Sequence, residues 1–312
     1  MTIDTHLNEF AGLPVVDFTR DGTFPAVGTN AIRLGLDWDA HNSGQTFLEL
    51  FASFLDTPGS AAVSAILIGD WGGTGEGNDS SSVVEALVSA RDRLPSLRHL
   101  FLGEITVDES EISWITQSDV SPIFEAFPLL ETLCLRGGNE LRLGKPRHAC
   151  LRKLVIETGG MSGEVVREVT TGVFPELRHL ELWLGDDGYG NDVSDDDIRA
   201  LLEHGPCEKL TYLGLRDDCR ADATAKVLAE VGVPPNVISL DLSLGTLSDE
   251  GASTLANSSW LSQLKLLDIH FHYVTANVVS RLKTIVTTVN ADSVQEPDCW
   301  GGESHRYVAV GE

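Results

Sequence analysis

The chain is poor in positive charge. Its 312 residues hold 22 Lys and Arg against 47 Asp and Glu, which gives a formal net charge of -25 at pH 7. Proteins that bind nucleic acid neutralise phosphates with clustered Lys and Arg side chains, and no such stripe occurs here. We therefore expect no nucleic-acid partner, and a protein partner with a cationic surface fits the charge better.

Long apolar runs and cysteine pairs are also lacking. The longest apolar-leaning run, residues 61–69, is far shorter than the ~20 residues of a membrane-spanning helix. The N-terminal MTIDTHLNEFAGL has neither the basic nor the apolar region of a signal peptide. The five cysteines are scattered without a CxxC motif, which favours reduced thiols over a disulfide framework or a zinc site. We expect a cytoplasmic protein with no membrane partner.

Motifs that name a reaction are missing as well. The sequence contains no GxSxG, no GxxxxGK[ST] and no HExxH, which are the patterns of a nucleophile elbow, a phosphate loop and a zinc protease. We therefore predict no catalytic residue, no cofactor and no enzymatic activity.

A leucine pattern recurs along the chain. Its clearest copies are LPSLRHLFL, FPLLETLCL, FPELRHLEL and CEKLTYLGL, with weaker copies before and after them. The third apolar position of each copy serves as a register mark, and the 233 residues from the first mark to the last hold eight intervals of about 29 residues, as in longer leucine-rich repeats. The nine marks are Leu34, Ile66, Leu100, Leu133, Leu154, Leu180, Leu213, Leu240 and Leu267.

Segments between the marks have helical periodicity. SSVVEALVSARDRL places apolar residues at helical spacing. VSDDDIRALLEHG begins with Ser194, a favourable N-cap, with Asp197 three residues later, where an acid can return to the cap. LSDEGASTLANSS repeats this design with Ser248 as its cap. Each strand is thus predicted to be followed by a helix, as parallel strands require a crossover.

Five stretches, two of them overlapping, carry a family resemblance. LSDEGASTLANS is similar to the helix signature of ribonuclease-inhibitor-like leucine-rich repeats, and ISWITQSD, LELWLG, LDLSLGTLSDEGA and RYVAVGE resemble runs of a bacterial family of such proteins. The resemblance covers nearly the whole chain and implies a cytoplasmic protein, with no catalytic residues.

The repeat pattern predicts an α/β fold, a leucine-rich repeat solenoid (horseshoe). Its parallel concave sheet would have about 9 strands, with the helices on the convex face. We expect a single domain with an N-terminal cap at residues 1–30, the solenoid at 31–290, and a C-terminal loop and capping strand at 291–312. LPVVDF and residues 307–310 are the predicted capping strands.

Residues that alternate with the register marks are predicted to face outward on the concave surface. Aromatic and Arg side chains are enriched there, as in protein interfaces. We therefore predict a non-catalytic protein–protein interaction module, with a structural scaffold subunit as another possibility. The predicted partner-binding residues are His99, Phe101, Arg136, His179, Glu181, Trp183, Tyr212, Arg216, Asp241, Asp268 and His270.

The sequence DIHFHY offers a different chemistry. On a strand, Asp268, His270 and His272 would share one face, and Asp241 would lie beside Asp268 on the next strand. Two imidazoles and two carboxylates are suitable ligands for a divalent metal. A metal-dependent enzyme or metal-binding protein is therefore the alternative function, while a surface His–Asp hydrogen bond is the simpler interpretation.

GDDGYGNDVSDDD, residues 185–197, is the most acidic stretch. From Asp186 the twelfth position of an EF-hand would be Asp197 instead of Glu, and the sixth would be Asn191 instead of Gly. The acids before the helix also favour the positive end of its dipole. We interpret the stretch as an acidic loop and helix cap above Trp183, suited to a cationic partner, while calcium binding stays open.

Overall fold

The structure, a computed structural model, describes residues 3–19, 28–301 and 303–311. The chain divides into two compact units, Met1–Ile156 and Glu157–Glu312. Both combine mostly parallel strands with helices that follow them in the chain. The boundaries predicted at residues 30 and 290 stay predictions.

The first unit contains a sheet whose strands follow one another in chain order. β1 and β2 are antiparallel, and the strands from β2 to β6 pair in parallel. The strands are β1 (Glu9–Phe10), β2 (Leu13–Asp17), β3 (Ala31–Leu34), β4 (Ala65–Ile68), β5 (His99–Leu102), β6 (Thr132–Arg136) and β7 (Lys153–Glu157), which ends at the unit boundary. The helices are α1 (Trp38–Asn42), α2 (Phe47–Asp56), α3 (Ser81–Ser89) and α4 (Ser121–Ala126).

In the second unit, four consecutive pairs of parallel strands alternate with helices. The parallel strands are β8 (His179–Gly185), β9 (Tyr212–Asp218), β10 (Ser239–Asp241), β11 (Leu266–Asp268) and β12 (Thr288–Asn290). The helices are α5 (Gly163–Thr170), α6 (Asp195–His204), α7 (Ala221–Val231), α8 (Asp249–Ala256) and α9 (Ala276–Lys283). β13 (Asp298–Trp300) and β14 (Glu303–His305) form a separate antiparallel pair.

The leucine register is confirmed for seven of the nine marks. Ile66, Leu100 and Leu133 lie opposite one another, and so do the four marks from Leu180 to Leu267. All of these side chains are buried because the register residues point to the helix side of the sheet. Leu34 is displaced by two residues, since Ile32 is the residue that pairs with Ile66.

The number of strands exceeds the expected nine. The nine marks fall on β3 to β11, and the described residues add the strands β1, β2 and β12. β2 is the strand predicted at LPVVDF. β12 was missed because TTVN lacks the leucine pattern, although Val289 pairs with Leu267 in the common register.

Helix starts follow the predicted capping chemistry. At α6 the Ser194 hydroxyl accepts a hydrogen bond from the Asp197 amide, and the Asp197 carboxylate accepts one from the Ser194 amide. Such a reciprocal cap satisfies two donors that the first turn leaves open. Ser248 caps α8 through the Glu250 amide. The predicted helix boundaries at these two serines are confirmed.

The C-terminal strand was placed wrongly. Residues 307–310 do not form a strand, and the preceding residues form the β13–β14 hairpin instead. The segment is held by separate contacts: Ala309 donates to the Leu244 carbonyl, and Val310 donates to the carboxylate of Asp217 on β9. These backbone groups are therefore satisfied without strand pairing.

Candidate interaction face

The eleven predicted partner-binding residues are divided between the two units. His99, Phe101 and Arg136 belong to the first unit, and the other eight belong to the second. All of them lie on the sheet strands except His270, which follows the end of β11 by two residues. Their exposure differs from the prediction, and it differs for separate reasons in each unit.

In the first unit the predicted face is covered. Phe101 is only 3% exposed and belongs to an apolar cluster with Phe10 and Leu67. Leu7 and Leu13 of the N-terminal segment pack against the same cluster. The prediction of Phe101 as an exposed contact is therefore wrong, because the segment before β3 covers the face with its own apolar side chains.

Arg136 is also buried in the first unit. Its guanidinium lies 5.2 Å from the centroid of the Phe101 ring and donates a hydrogen bond to the Ile105 carbonyl. His99 is half-buried and forms a hydrogen bond with Thr132, and burial lowers its pKa. Arg136 is thus a structural residue, and the structure does not bring these residues together as an exposed site.

In the second unit, strand pairing aligns one row of residues across five strands. The row consists of Glu181, Gly214, Asp241, Asp268 and Asn290, each opposite the next. We call it the carboxylate row. Three carboxylates at one register would repel one another unless cations or hydrogen-bond donors lie between them.

The Glu181 carboxylate at one end of the row accepts three strong hydrogen bonds. Its partners are Arg216 Nη1 at 2.6 Å, Trp183 Nε1 at 2.8 Å and His179 Nε2 at 3.1 Å. Burial disfavours the charged carboxylate, but the His179 hydrogen bond and the Arg216 charge outweigh it and hold the pKa of Glu181 well below its usual range. Glu181 is therefore an ionised, buried anchor.

The Arg216 guanidinium links Glu181 with the centre of the row. Its Nε donates to Ser243 Oγ at 2.9 Å and lies 3.4 Å from the Asp241 carboxylate. Burial opposes its charge, yet Asp241 and Glu181 raise the pKa of Arg216 further above its ordinary value. Arg216, Glu181 and Asp241 are all buried, so the charged groups are compensated within the face.

Trp183 is not an exposed anchor. Its side chain is 3% exposed, and the Arg216 guanidinium lies 5.0 Å from its ring centroid. A cation over an indole face is a favourable arrangement. The prediction that Trp183 contacts a partner directly is corrected: Glu181 holds the indole N–H and Arg216 covers the ring.

His179 and Tyr212 form the more accessible edge. Their rings are stacked, with centroids 3.9 Å apart and an interplanar angle of 3°. The Tyr212 hydroxyl donates to Asp241 at 2.7 Å. Burial and the two nearby carboxylates raise the pKa of Tyr212 far above its ordinary value, so the hydroxyl stays protonated. The His179 side chain is 24% exposed.

Gly214 provides the space for this stack. A Cβ at this position would lie 3.1 Å from Glu181 Cγ and 3.2 Å from Tyr212 Cε1. Such contacts are tighter than ordinary packing, so a side chain there would push the Tyr212 ring or the Glu181 stem away. The one side-chain-free position of the carboxylate row is thus filled by the neighbouring tyrosine.

Asp268 and His270 form a second accessible pair. His270 Nδ1 lies 2.7 Å from Asp268 Oδ1, and Asn290 donates to the other carboxylate oxygen at 3.0 Å. Burial disfavours the Asp268 charge, but the His270 hydrogen bond lowers the pKa of Asp268 overall. Their side chains are 19% and 21% exposed, and no described residue contacts His270 Nε2 by a hydrogen bond.

His272 does not join this pair. β11 ends at Asp268, and Phe271 has a positive φ of 58°, which breaks the strand alternation. His272 is buried, with one ring nitrogen bonded to the Ala291 carbonyl and the other to the Val274 amide. The expected i, i+2, i+4 cluster is therefore wrong. Among the described residues, no three His, Cys, Asp or Glu side chains could hold one metal ion.

The carboxylates of the acidic stretch, residues 185–197, form hydrogen bonds and ion pairs with backbone amides and arginines. Asp186 accepts from the Gly188 amide, and Asp195 pairs with Arg220. The Asp197 carboxylate accepts a hydrogen bond from Arg167 Nη1 at 2.9 Å, in addition to its bonds in the helix cap. These carboxylates serve the turn and the start of α6, as the sequence indicates for Asp197. Whether the stretch contacts a cationic partner stays a prediction.

Sequence reasoning missed one buried acid. Asp217 has a positive φ of 53°, and its Oδ1 accepts from the Val310 amide at 2.9 Å. Its Oδ2 is buried without a hydrogen-bond partner. Burial raises the pKa of Asp217 well above its ordinary value, against the effect of the Val310 hydrogen bond. The partner lies 93 residues away, so no local pattern marks this contact.

Comparison with known proteins supports the fold. No family model matches the chain, and no curated protein matches it. A protein from Bacteroides fragilis, known from a structural-genomics crystal structure, is 29% identical over 85% of this chain and 74% of its own, with a TM-score of 0.77. An internalin from Listeria monocytogenes aligns with 86% of this chain and 73% of its own at 13% identity and a TM-score of 0.37.

The similarity to the Bacteroides structure shows that the two proteins share a fold. The mostly parallel sheet and the helices that follow its strands are compatible with a leucine-rich-repeat-like architecture. In the described part of the chain, no helix has the length and apolar character needed to cross a membrane. All five cysteines are free thiols.

Proposed function

We propose that the protein is a non-catalytic interaction module of the leucine-rich repeat type, a ribonuclease-inhibitor-like solenoid that binds a protein partner in the cytoplasm. The leucine register, the capped helices after the strands and the likeness to the Bacteroides structure support this assignment. The observation that carries it is the strand face of the second unit. There, two pairs with partly exposed side chains, His179–Tyr212 and Asp268–His270, lie on the same strand face as a buried ionic network.

This face is held in place before any partner arrives. Tyr212 is fixed by Asp241, and His179 is fixed by Glu181. The same two carboxylates are held by Arg216. Association costs less when side chains are already ordered, because less conformational freedom is lost. The rigid edge is therefore suited to recognition.

The acidic charge of the chain supports the proposal of a cationic partner. The face carries Glu181, Asp241 and Asp268, and Arg216 is the cation that lies among them. The net charge of the whole chain, -25, has the same sign. A partner with Lys or Arg side chains would be attracted and correctly oriented, whereas nucleic acid and anionic membrane surfaces would be repelled.

The test compares three versions of the full chain in affinity purifications from the native host with quantitative mass spectrometry. The double variant His179→Ala, His270→Ala removes the two accessible rings. Arg199→Ala on α6, in an exposed ion pair, is the control. We expect one protein to be retained by wild type and control and lost from the double variant, while all three show the same far-UV circular dichroism. Equal recovery of every protein from all three would refute the proposal.

A further inference from the structure

A second candidate site lies within the first unit, apart from the face described above. A cavity of about 660 Å³ opens where β3 and β4 end. Ligand sites typically have volumes of about 300–1,000 Å³, and loops at the carboxyl ends of parallel strands are frequent places for them. Neither the repeat pattern nor the proposed protein contacts require a cavity here.

Two glycines form its floor. Gly35 follows β3 and Gly69 follows β4, and both line the cavity. A Cβ on Gly35 would lie 3.3 Å from the Gly69 Cα and 3.3 Å from the Asp70 amide nitrogen. The two backbones thus pass closely without side chains between them. Any larger residue at either position would reduce the space above the floor.

The cationic side chains that line the cavity, Arg33 and His6, are already paired with carboxylates. Arg33 donates to Glu104 Oε2 at 2.7 Å, to Asp17 Oδ1 at 2.7 Å and to the Leu7 carbonyl at 2.6 Å. His6 lies 3.0 Å from Glu104 and 3.2 Å from Glu109. These hydrogen bonds raise the pKa of His6 to about 9. Arg33 and His6 are therefore paired with the carboxylates of Asp17, Glu104 and Glu109.

The other described residues that line the cavity include carboxylates but no Lys, Arg or His. Among these carboxylates are Asp37, Asp39 and Asp70. Asp37 caps α1 through the Ala40 amide, and Asp70 accepts from the Gly72 amide at 2.7 Å. No described residue bonds to the Asp39 carboxylate. Burial raises the pKa of Asp70, which indicates a carboxylate that lacks full compensation.

Apolar side chains complete the lining. Phe18, Leu36 and Leu50 face the cavity beside the carboxylates. Acids alone would suit any cation, but this mixture suits a cation on a hydrocarbon chain. An alkyl stem would contact the apolar lining while its charged end donates hydrogen bonds to lining carboxylates, in the way that Lys side chains combine the two.

We infer that this cavity binds an alkyl-ammonium group, with its charged end among Asp37, Asp39 and Asp70 and its hydrocarbon part against Leu36 and Leu50. The group is either a small free polyamine or a Lys side chain of a bound protein, since both present the same chemistry. This site is independent of the face of the second unit, so either one can fail without the other.

Calorimetric titration of the full chain at pH 7 and low salt tests the inference. The probes are putrescine and an end-blocked Gly-Lys-Gly peptide. We expect one saturable site for at least one probe, weakened by added salt. Binding of putrescine alone identifies a polyamine site, and binding of the peptide identifies a docking site for a Lys side chain.

Variants separate this cavity from general attraction to an acidic protein. Asp70→Asn should weaken binding about tenfold through loss of a partly desolvated charge contact. Asp39→Asn, an exposed change on α1 that cannot disturb a core, should weaken it in the same direction. Glu85→Gln on the exposed side of α3 removes the same charge elsewhere and should leave affinity unchanged. Absence of a saturable heat for both probes, or equal affinity in all variants, would overturn the inference.

Discussion

The imidazole of His179 lies flat against the phenol of Tyr212, with ring centroids 3.9 Å apart. The two residues are direct partners on β8 and β9. Each ring also contacts a buried carboxylate, Glu181 for the histidine and Asp241 for the tyrosine. The accessible edge of the face therefore depends on buried charges. Substitution of these buried residues should change the free energy of unfolding.

Glu181→Gln should destabilise the second unit. Among the ion pairs of the described residues, the substitution leaves buried Arg216 with Asp241, at 3.4 Å. Removing one member of a buried ion pair costs about 3 kcal/mol, because the remaining charge is poorly compensated. Urea unfolding followed by circular dichroism measures the free energy of unfolding.

The matched control is Glu230→Gln. Glu230 pairs with Arg199 at 2.8 Å, but both side chains are well exposed. Exposed pairs of this kind contribute less than about 1 kcal/mol. Equal losses for Glu181→Gln and Glu230→Gln would show that burial does not strengthen the Glu181–Arg216 contact.

Two glycines of the acidic stretch should respond differently to alanine. Gly185 has φ +74° and a Cβ there would lie 2.0 Å from the Gly159 carbonyl oxygen. Gly190 has φ +101° with no atom within 4 Å of its Cβ position. Both changes cost about 1–2 kcal/mol for the left-handed backbone, and Gly185→Ala adds an overlap of about 1–3 kcal/mol. Thermal unfolding of the two variants at one pH makes the comparison. A Gly190→Ala loss as large as that of Gly185→Ala would contradict the close approach.

The leucine register shows what a sequence can predict here. Strand alternation has a period of two, so Leu180 and Leu213 determine that Trp183 lies opposite Arg216. The leucine pattern could not show that other side chains cover the predicted interaction face. Burial of Phe101 depends on Phe10, 91 residues before it, and burial of Trp183 depends on the Arg216 guanidinium. Such contacts arise from tertiary packing and leave no local periodicity.

The first register mark and the His272 cluster failed for local reasons. Ile32 and Leu34 are both buried, so their alternation alone does not decide which one pairs with Ile66. At His272 the positive φ of Phe271 rotates the chain out of the strand. A bulky residue in the left-handed region is uncommon, and no local sequence signal marks one at Phe271.

Asp217→Asn should stabilise the protein at neutral pH. Burial raises the folded-state pKa of Asp217, so the folded state holds a proton that the unfolded chain releases above its ordinary pKa of about 3.9. Stability is therefore lost as the pH rises from about 4 toward the folded-state pKa. Asparagine cannot ionise, and its amide oxygen can still accept from Val310.

The measurement for Asp217 is thermal unfolding between pH 4 and 8. The melting temperature of Asp217→Asn minus that of wild type should increase with pH across this range. Asp187→Asn, on the turn of the acidic stretch, is the control for loss of one negative charge. A variant that is less stable than wild type at pH 8 would show that Asp217 acts as a charged acceptor for Val310.

His6→Gln should remove a pH-dependent contribution to the stability of the first unit. The carboxylates of Glu104 and Glu109 raise the folded-state pKa of His6 from 6.5 to about 9. The protonated form is therefore favoured by folding, and its contribution is complete below pH 6.5 and disappears as the pH rises through about 9. Because the His6 side chain is 37% exposed, solvent screening reduces the size of the effect. We expect wild type to have a higher melting temperature than His6→Gln at pH 6, and the difference to shrink to a small constant by pH 10. His204→Gln, at the exposed end of α6, is the control. A difference that stays constant from pH 6 to pH 10 would mean that His6 contributes by packing or neutral hydrogen bonds, without a proton shared with Glu104 and Glu109.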